Sequence, residues 1–149
     1  VESILFNLPT FMLSKHSTKF ERLLLSRASS EVNVETIQLK DTKALDFERL
    51  LTVLFPSVPG QFALSTVEDW TSVLTVAHNW EFSAIKKLAI SQLEPIASAV
   101  DRVVLGQEYN LPDWTTAGYR ELCRRAEPIS KAESRRLGLE AVTDISSLR

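Results

Sequence analysis

Two helical patterns lie back to back between residues 65 and 95, and they constrain the fold of this chain more than any other feature. In each pattern, apolar residues recur at the spacing of three and four that places them on one face of a helix. They are Val67, Trp70, Val73, Leu74 and Ala77 in the first pattern and Ile85, Leu88, Ala89 and Leu93 in the second. Short amphipathic helices are only marginally stable in water. The sequence therefore predicts a helical hairpin whose apolar faces must be covered by other parts of the chain.

Capping patterns predict where several helices begin. A serine or threonine followed three residues later by glutamate can satisfy two backbone amides that the first turn leaves free. This pattern occurs three times, as Thr18 with Glu21, Ser65 with Glu68 and Ser130 with Glu133. Asp41 and Thr42 are further expected to cap a helix that begins near Lys43.

Two short segments are predicted to be strands. Residues 4–6 form an apolar run that ends in a turn at Pro9, and residues 36–39 alternate between polar and apolar side chains. Two short helices are predicted between them, at 10–16 and from Thr18 onward. A helix from 43 to 55 follows, and the two prolines and the glycine at 56–60 end it. The predicted fold class is α+β and mainly helical.

The motifs of the first 94 residues follow one another in a recognisable order. They are a leucine–proline pair, two helices, a short strand, a helix that ends in an aromatic residue, and the helical hairpin. The residues that mark these motifs are, in chain order, Leu8-Pro9, Leu13, Ser17, Phe20, Phe47, Leu50, Leu51, Phe55, Leu74, Ala77, Trp80, Phe82 and Leu88. In this order they resemble the BTB/POZ domain. The resemblance implies a core in which helices flank a small sheet. It also implies a first strand upstream of Val1 that would pair with residues 4–6, so the chain is expected to begin inside that hairpin.

Residues 95–149 are predicted to form a helical C-terminal extension. Helices are expected at 96–105, at 112–125 with Pro112 in the first turn, and from Ser130 onward with an interruption at Gly138. The run at 100–114 and the residues after it, Gly118, Tyr119, Leu122, Arg124, Arg125, Glu127 and Pro128, resemble the C-terminal part of a group of fungal BTB-domain proteins, mostly from mushroom-forming fungi.

Composition and charge exclude several classes of function. The net charge of −2 provides no field for capturing nucleic acid or an anionic membrane. No apolar run approaches the roughly 20 residues that a membrane-spanning helix needs. Cys123 is the single cysteine and cannot form an internal disulfide, which favours a reducing, intracellular compartment, with nucleus and cytoplasm equally open.

Side chains that could support catalysis or metal binding are few. His16 and His78 are the only histidines, too few to form a metal cluster even with Cys123 unless folding joins all three. Arg124 and Arg125 could favour the Cys123 thiolate, but a nucleophile also needs a positioned base and an oxyanion site. The glycine-rich and nucleophile-elbow motifs that bind phosphate or activate serine are absent from the sequence. We expect a protein that is not an enzyme and carries no cofactor or metal.

Basic side chains concentrate near the C-terminus, where acidic ones interrupt them. The cluster consists of Arg120, Arg124, Arg125, Lys131, Arg135 and Arg136, interleaved with Glu121, Glu127 and Glu133. A solvated, salt-bridged face is the favoured interpretation, and an anion or nucleic-acid site is the alternative. The tryptophans Trp70, Trp80 and Trp114 are expected in the core.

The BTB/POZ resemblance implies a domain that binds other proteins by self-association or by docking an adaptor. It places the helix at 10–16 at a dimer surface, so the expected interface residues are Phe11, Met12 and Lys15, with Phe55 as a fourth. Two alternatives stay open. The first is a substrate receptor for a cullin-type ubiquitin ligase, although residues 56–61 lack the glutamate of the apolar-x-Glu element common in such receptors. The second is a regulatory or nucleic-acid-associated module that uses the arginine cluster.

Overall fold

A computed structural model describes residues 1–28 and 36–149 of the chain. The regular secondary structure of these residues is eight helices, α1 (Thr10–His16), α2 (Thr18–Ala28), α3 (Ala44–Leu54), α4 (Val67–Asn79), α5 (Ser83–Leu93), α6 (Ala99–Glu108), α7 (Pro112–Arg124) and α8 (Lys131–Leu148). They divide into an N-terminal unit, Val1–Ile96, and a C-terminal unit, Ala97–Arg149. The predicted mainly helical fold is confirmed.

The described residues contain no sheet, and an antiparallel bridge between Val58 and Gln61 is isolated. Both segments predicted as strands lie outside regular structure. The Ile4 amide donates to the Val1 carbonyl oxygen at 2.7 Å, and the Thr36 carbonyl oxygen accepts from the Arg27 side chain at 3.0 Å. A strand needs a neighbour for its backbone groups, and here the Ile4 amide is paired in a turn and the Thr36 carbonyl oxygen with a side chain. The predicted small sheet is not confirmed.

The helical hairpin predicted at 65–95 is confirmed as α4 and α5. The side chains that α4 buries are Trp70, Ser72, Val73, Leu74, Val76 and Ala77, and those that α5 buries are Ile85, Ala89 and Leu93. The predicted Ser65 cap is wrong by one residue. Thr66 is the N-cap, since its Oγ1 accepts from the Asp69 amide at 3.1 Å and its own amide donates to the Asp69 carboxylate at 3.3 Å. Asp69 also forms an ion pair with Arg49 of α3 at 2.9 Å.

Two other predicted caps are wrong because other groups take their place, one of them adjacent in the sequence and one distant. Ser17 accepts from the Phe20 amide at 3.0 Å and so caps α2 in place of Thr18. At α3, the Ala44 amide donates to the carboxylate of Glu2 at 2.8 Å, and the N-cap residue Lys43 makes no side-chain cap. Acceptors at helix N-termini are favoured whether they are near or far in the sequence.

The C-terminal unit has its own core, built from α6, α7 and α8. Its buried residues are Ala99, Val100, Val103, Leu122, Leu137, Ala141 and Ile145. The cap of α8 at Ser130 with Glu133 is confirmed, and the predicted interruption is a non-helical Gly138 with φ of 82°. An unpredicted capping box, Ser98 with Asp101, begins α6.

Two glycines allow α6 and α7 to approach closely. A Cβ atom on Gly118 would lie 2.7 Å from the Ala99 carbonyl oxygen, and one on Gly106 would lie 2.8 Å from the Thr115 amide nitrogen. Both distances are shorter than a methyl group tolerates. The packing of these helices therefore requires glycine at both positions.

Candidate interaction surface

Helix α1 exposes one apolar residue to solvent and buries another. Leu13 is buried, whereas Phe11 keeps 65% of its surface exposed. Lys15 is exposed four residues after Phe11, so the two side chains share one helix face. Met12 is half-buried beside them. Three of the four predicted interface residues therefore lie on one short helix, and two share its exposed face.

The start of α2, directly after α1, is joined to the turn between α4 and α5 by polar contacts that we call the α2 clasp. The hydroxyl of Ser17 donates to the Trp80 carbonyl oxygen at 2.5 Å, and the hydroxyl of Thr18 donates to the Glu81 carboxylate at 2.6 Å. Arg22 forms an ion pair with the same carboxylate at 2.6 Å. Hydrogen bonds from Thr18 and then Arg22 lower the pKa of Glu81. The clasp therefore holds the junction at which α1 ends and α2 begins.

Aromatic packing reinforces the clasp from within. The ring of Trp80 lies 4.9 Å from that of Phe20, and Phe20 lies 5.8 Å from Phe82. The Trp80 indole donates to the hydroxyl of Thr42 at 2.9 Å, so its polar atom is satisfied inside the core. Lys19 Nζ lies 4.7 Å from the centre of the Trp80 ring, a cation–π contact. The expectation that Trp70 and Trp80 are buried is confirmed, and Trp114 is half-buried.

Phe55 follows α3 and is 39% exposed. Among the described residues, no hydrogen bond, ion pair or ring contact connects it with Phe11, Met12 or Lys15. Directly after it, the Gln61 amide donates to the Val58 carbonyl oxygen at 3.0 Å, and Gly60 has φ of 78°. With Pro59 before the glycine, this is the pattern of a type II turn. Phe55 therefore stands by itself as a second candidate contact next to a tight turn.

The sequence did not predict that several apolar side chains are exposed. Leu45, on α3, is 54% exposed. Ile4 and Leu5 were expected in a strand, yet both are exposed and line a pocket of about 130 Å³ together with buried Leu13 and Phe47. Periodicity predicts which helix face is apolar but not how wide the covered stripe is. The accessibility of these apolar side chains therefore depends on the neighbours that folding brings to them.

Part of the predicted arginine cluster is consumed by ion pairs within the C-terminal unit. Arg125 binds the Glu133 carboxylate through two nitrogens at 2.8 and 3.0 Å, which lowers the pKa of Glu133 to about 2. Arg136 binds Asp101 at 2.5 Å. Burial by itself would raise the pKa of Asp101, but hydrogen bonds from Ser98 and Arg136 outweigh it and lower that pKa. For Arg125 and Arg136, the contacts are those of a salt-bridged face.

The described residues hold no group of three or more histidine, cysteine, aspartate or glutamate side chains that could bind a metal ion. His78 Nδ1 lies 3.1 Å from Lys86 Nζ. Cys123 is half-buried against the core of the C-terminal unit. Among the described helices, none is long and apolar enough to cross a membrane.

Comparison with known proteins identifies the family. The family model described as the BTB/POZ domain matches residues 1–95. The chain belongs to the BTB/POZ family. No curated protein and no solved structure matches it. BTB/POZ domains are protein–protein interaction modules and are generally not enzymes. The BTB/POZ match ends before the C-terminal unit, so the fungal resemblance of the last 55 residues stays a prediction.

Proposed function

We propose that this BTB/POZ protein self-associates through the exposed face of α1. The observation that supports the proposal is the contrast within one short helix, where Phe11 is 65% exposed while Leu13 two residues later is buried. An aromatic ring on a helix that is already anchored loses little conformational freedom on binding. Lys15 on the same face and the half-buried Met12 would complete the contact.

The experiment replaces Phe11 with glutamate and measures self-association by sedimentation velocity over a concentration series. We expect Phe11→Glu to weaken the dimer at least tenfold, because a charge would replace the central apolar contact. Leu45→Glu is the matched control, since Leu45 is also exposed in the N-terminal unit but lies on α3. Unchanged circular dichroism must show that both variants fold. A dimer constant equal in the wild type and Phe11→Glu would contradict the proposal.

Docking of an adaptor, including a cullin-type scaffold, is a second candidate function. Its support is that two apolar residues are exposed here, Phe55 directly after α3 and Val58 at the first position of the tight turn. The glutamate expected of a cullin-binding element is absent from residues 56–61. A pull-down with a purified cullin N-terminal domain, comparing the wild type with Phe55→Glu, tests this function. Failure of the wild type to bind would remove it.

We propose an intracellular location for this interaction domain, because its single cysteine cannot form an internal disulfide. A nucleic-acid-associated role is less well supported, because Arg125 and Arg136 are held in ion pairs. Affinity for duplex or single-stranded nucleic acid that falls steeply as salt rises would favour that role instead.

A further inference from the structure

Two arginines of α7 are left without a partner while their neighbours are held. Arg120 and Arg124 are exposed and lie one helical turn apart, and their side chains form no hydrogen bond or ion pair within the described chain. Together with Ala117, Glu121 and Arg125 they line a shallow groove of about 410 Å³, which we call the α7 groove. Arg125 is already held by Glu133, and Glu121 lies 3.8 Å from Arg102. The positive charge available to a ligand therefore comes from Arg120 and Arg124.

The second part of α8 carries an exposed row of complementary chemistry. Glu140, Asp144 and Leu148 follow one another at intervals of four residues, which places them on one helix face. All three are exposed, Leu148 by 68%, and the two carboxylates form no ion pair within the described chain. We call this row the α8 ridge. Its order is acidic, acidic, apolar, whereas the α7 groove runs from the small apolar Ala117 to the two arginines.

The spacing of ridge and groove matches when the two helices run in opposite directions. Residues one turn apart on a helix are separated by about 5–6 Å. We propose that the α7 groove binds the α8 ridge of a second copy of this chain, with Leu148 against Ala117, Asp144 beside Arg120 and Glu140 beside Arg124. Each pair then joins unlike charges or two apolar groups. In the parallel direction, Leu148 would face Arg124 and Glu140 would face Ala117.

Charge favours a second copy over nucleic acid as the occupant. Nucleic acid binding needs many unopposed cations, whereas the groove offers only Arg120 and Arg124 and the chain carries a net charge of −2. Exposed ion pairs are individually weak and are screened by salt. The contact is therefore a weak, salt-sensitive one, separate from the α1 surface.

The test uses the full chain carrying Phe11→Glu, so that association through α1 does not contribute. In this background, Arg120→Glu with Arg124→Glu makes the groove acidic, and Glu140→Arg with Asp144→Arg makes the ridge basic. Each double variant should lose self-association measured by sedimentation equilibrium at 100–500 µM, which is on the order of the concentrations that reveal weak pairs. An equimolar mixture of the two should associate, because every facing pair is then of opposite sign.

Further variants separate this contact from a general effect of charge. The chain with all four reversals should regain self-association, since its groove and ridge are again complementary. Lys131→Glu with Arg135→Glu is the matched control, because it makes the same change of charge at exposed α8 residues outside the groove. It should leave association unchanged. Association in the Phe11→Glu background should fall at least threefold between 50 and 500 mM salt, on the order expected for exposed pairs.

Two results would overturn the proposal. One is a Phe11→Glu protein that is monomeric throughout this range and remains so when the two double variants are mixed. The other is association that none of the charge reversals alters. Neither result bears on the α1 surface, which is tested by comparing Phe11→Glu with the wild type.

Discussion

At the scale of single residues, Trp80 connects the parts of the N-terminal unit. It is only 8% exposed, its ring packs against Phe20, and its indole nitrogen donates to Thr42. Its carbonyl oxygen accepts from Ser17, so one residue makes aromatic and polar contacts with two separate segments, the start of α2 and the chain before α3. Ser17 is equally committed, since its hydroxyl donates to Trp80 and accepts from the Phe20 amide. Such a residue is costly to truncate.

We expect Trp80→Ala to lower the free energy of unfolding by about 3–5 kcal/mol, because it leaves a cavity and removes the indole hydrogen bond to the Thr42 hydroxyl. Urea denaturation followed by circular dichroism measures the loss. Trp80→Phe is the control that keeps an aromatic ring against Phe20 but removes the indole donor, and it should cost less. A loss below about 1 kcal/mol for Trp80→Ala would be inconsistent with the burial of this ring.

At the scale of secondary-structure elements, local chemistry selects the helices and folding selects their first residues. At the start of α4, Ser65 with Glu68 and Thr66 with Asp69 are both acceptable capping pairs one residue apart. The second pair forms, and Asp69 also binds Arg49 of α3. Hydrogen bonds from Thr66 lower the pKa of Asp69, with a smaller contribution from Arg49. Of the two local alternatives, the pair that forms is the one whose acidic residue also contacts α3.

This cap predicts unequal losses of stability for two adjacent substitutions. Thr66→Ala should lower the free energy of unfolding by about 1 kcal/mol, because the Asp69 amide loses its acceptor. Ser65→Ala should change it by less than about 0.5 kcal/mol, as is usual for an exposed residue that does not cap a helix. Thermal and urea unfolding of the two variants under identical conditions tests the difference. The reverse order of the two losses would restore the cap predicted at Ser65.

At the scale of the whole molecule, the chain folds into two units with different means of packing. The N-terminal unit buries large aromatic residues, among them Phe20, Trp70 and Phe82. The C-terminal unit instead brings α6 and α7 together over Gly106 and Gly118, where backbone approaches backbone. Aromatic cores tolerate some rearrangement of side chains, whereas a close backbone contact has no flexible group that can move.

We expect Gly118→Ala to lower stability by about 1–3 kcal/mol, although alanine is the better helix former, because its methyl group would clash with the Ala99 carbonyl oxygen. Hydrogen exchange should show the loss of protection in α6 and α7. The control is Gly138→Ala, which meets no atom within 4 Å but forces alanine into a positive φ; it should raise exchange mainly around residue 138. Unchanged exchange in α6 and α7 of Gly118→Ala would show that these helices can separate at little cost.

Much of the helical framework could be predicted from the sequence, because helix signals are local. Pro112 begins α7, Ser130 with Glu133 caps α8, and Gly138 interrupts it as expected, since each depends on residues within one or two turns. The amphipathic pattern likewise predicted α4 and α5. The candidate interface was predicted only through family resemblance. The high exposure of Phe11, one of its residues, is known from the structure.

Only the tertiary structure decided which residues distant in the sequence are in contact. No local rule connects Ser17 with Trp80, Glu2 with the first turn of α3, or Arg136 with Asp101, because these pairs are separated by 63, 42 and 35 residues. A short apolar run such as residues 4–6 can form a strand only if a neighbour is present, whereas a helix satisfies its own backbone hydrogen bonds. The sequence by itself therefore determined which segments are helical, and folding determined the caps, the partners of the charged side chains and which apolar side chains remain at the surface.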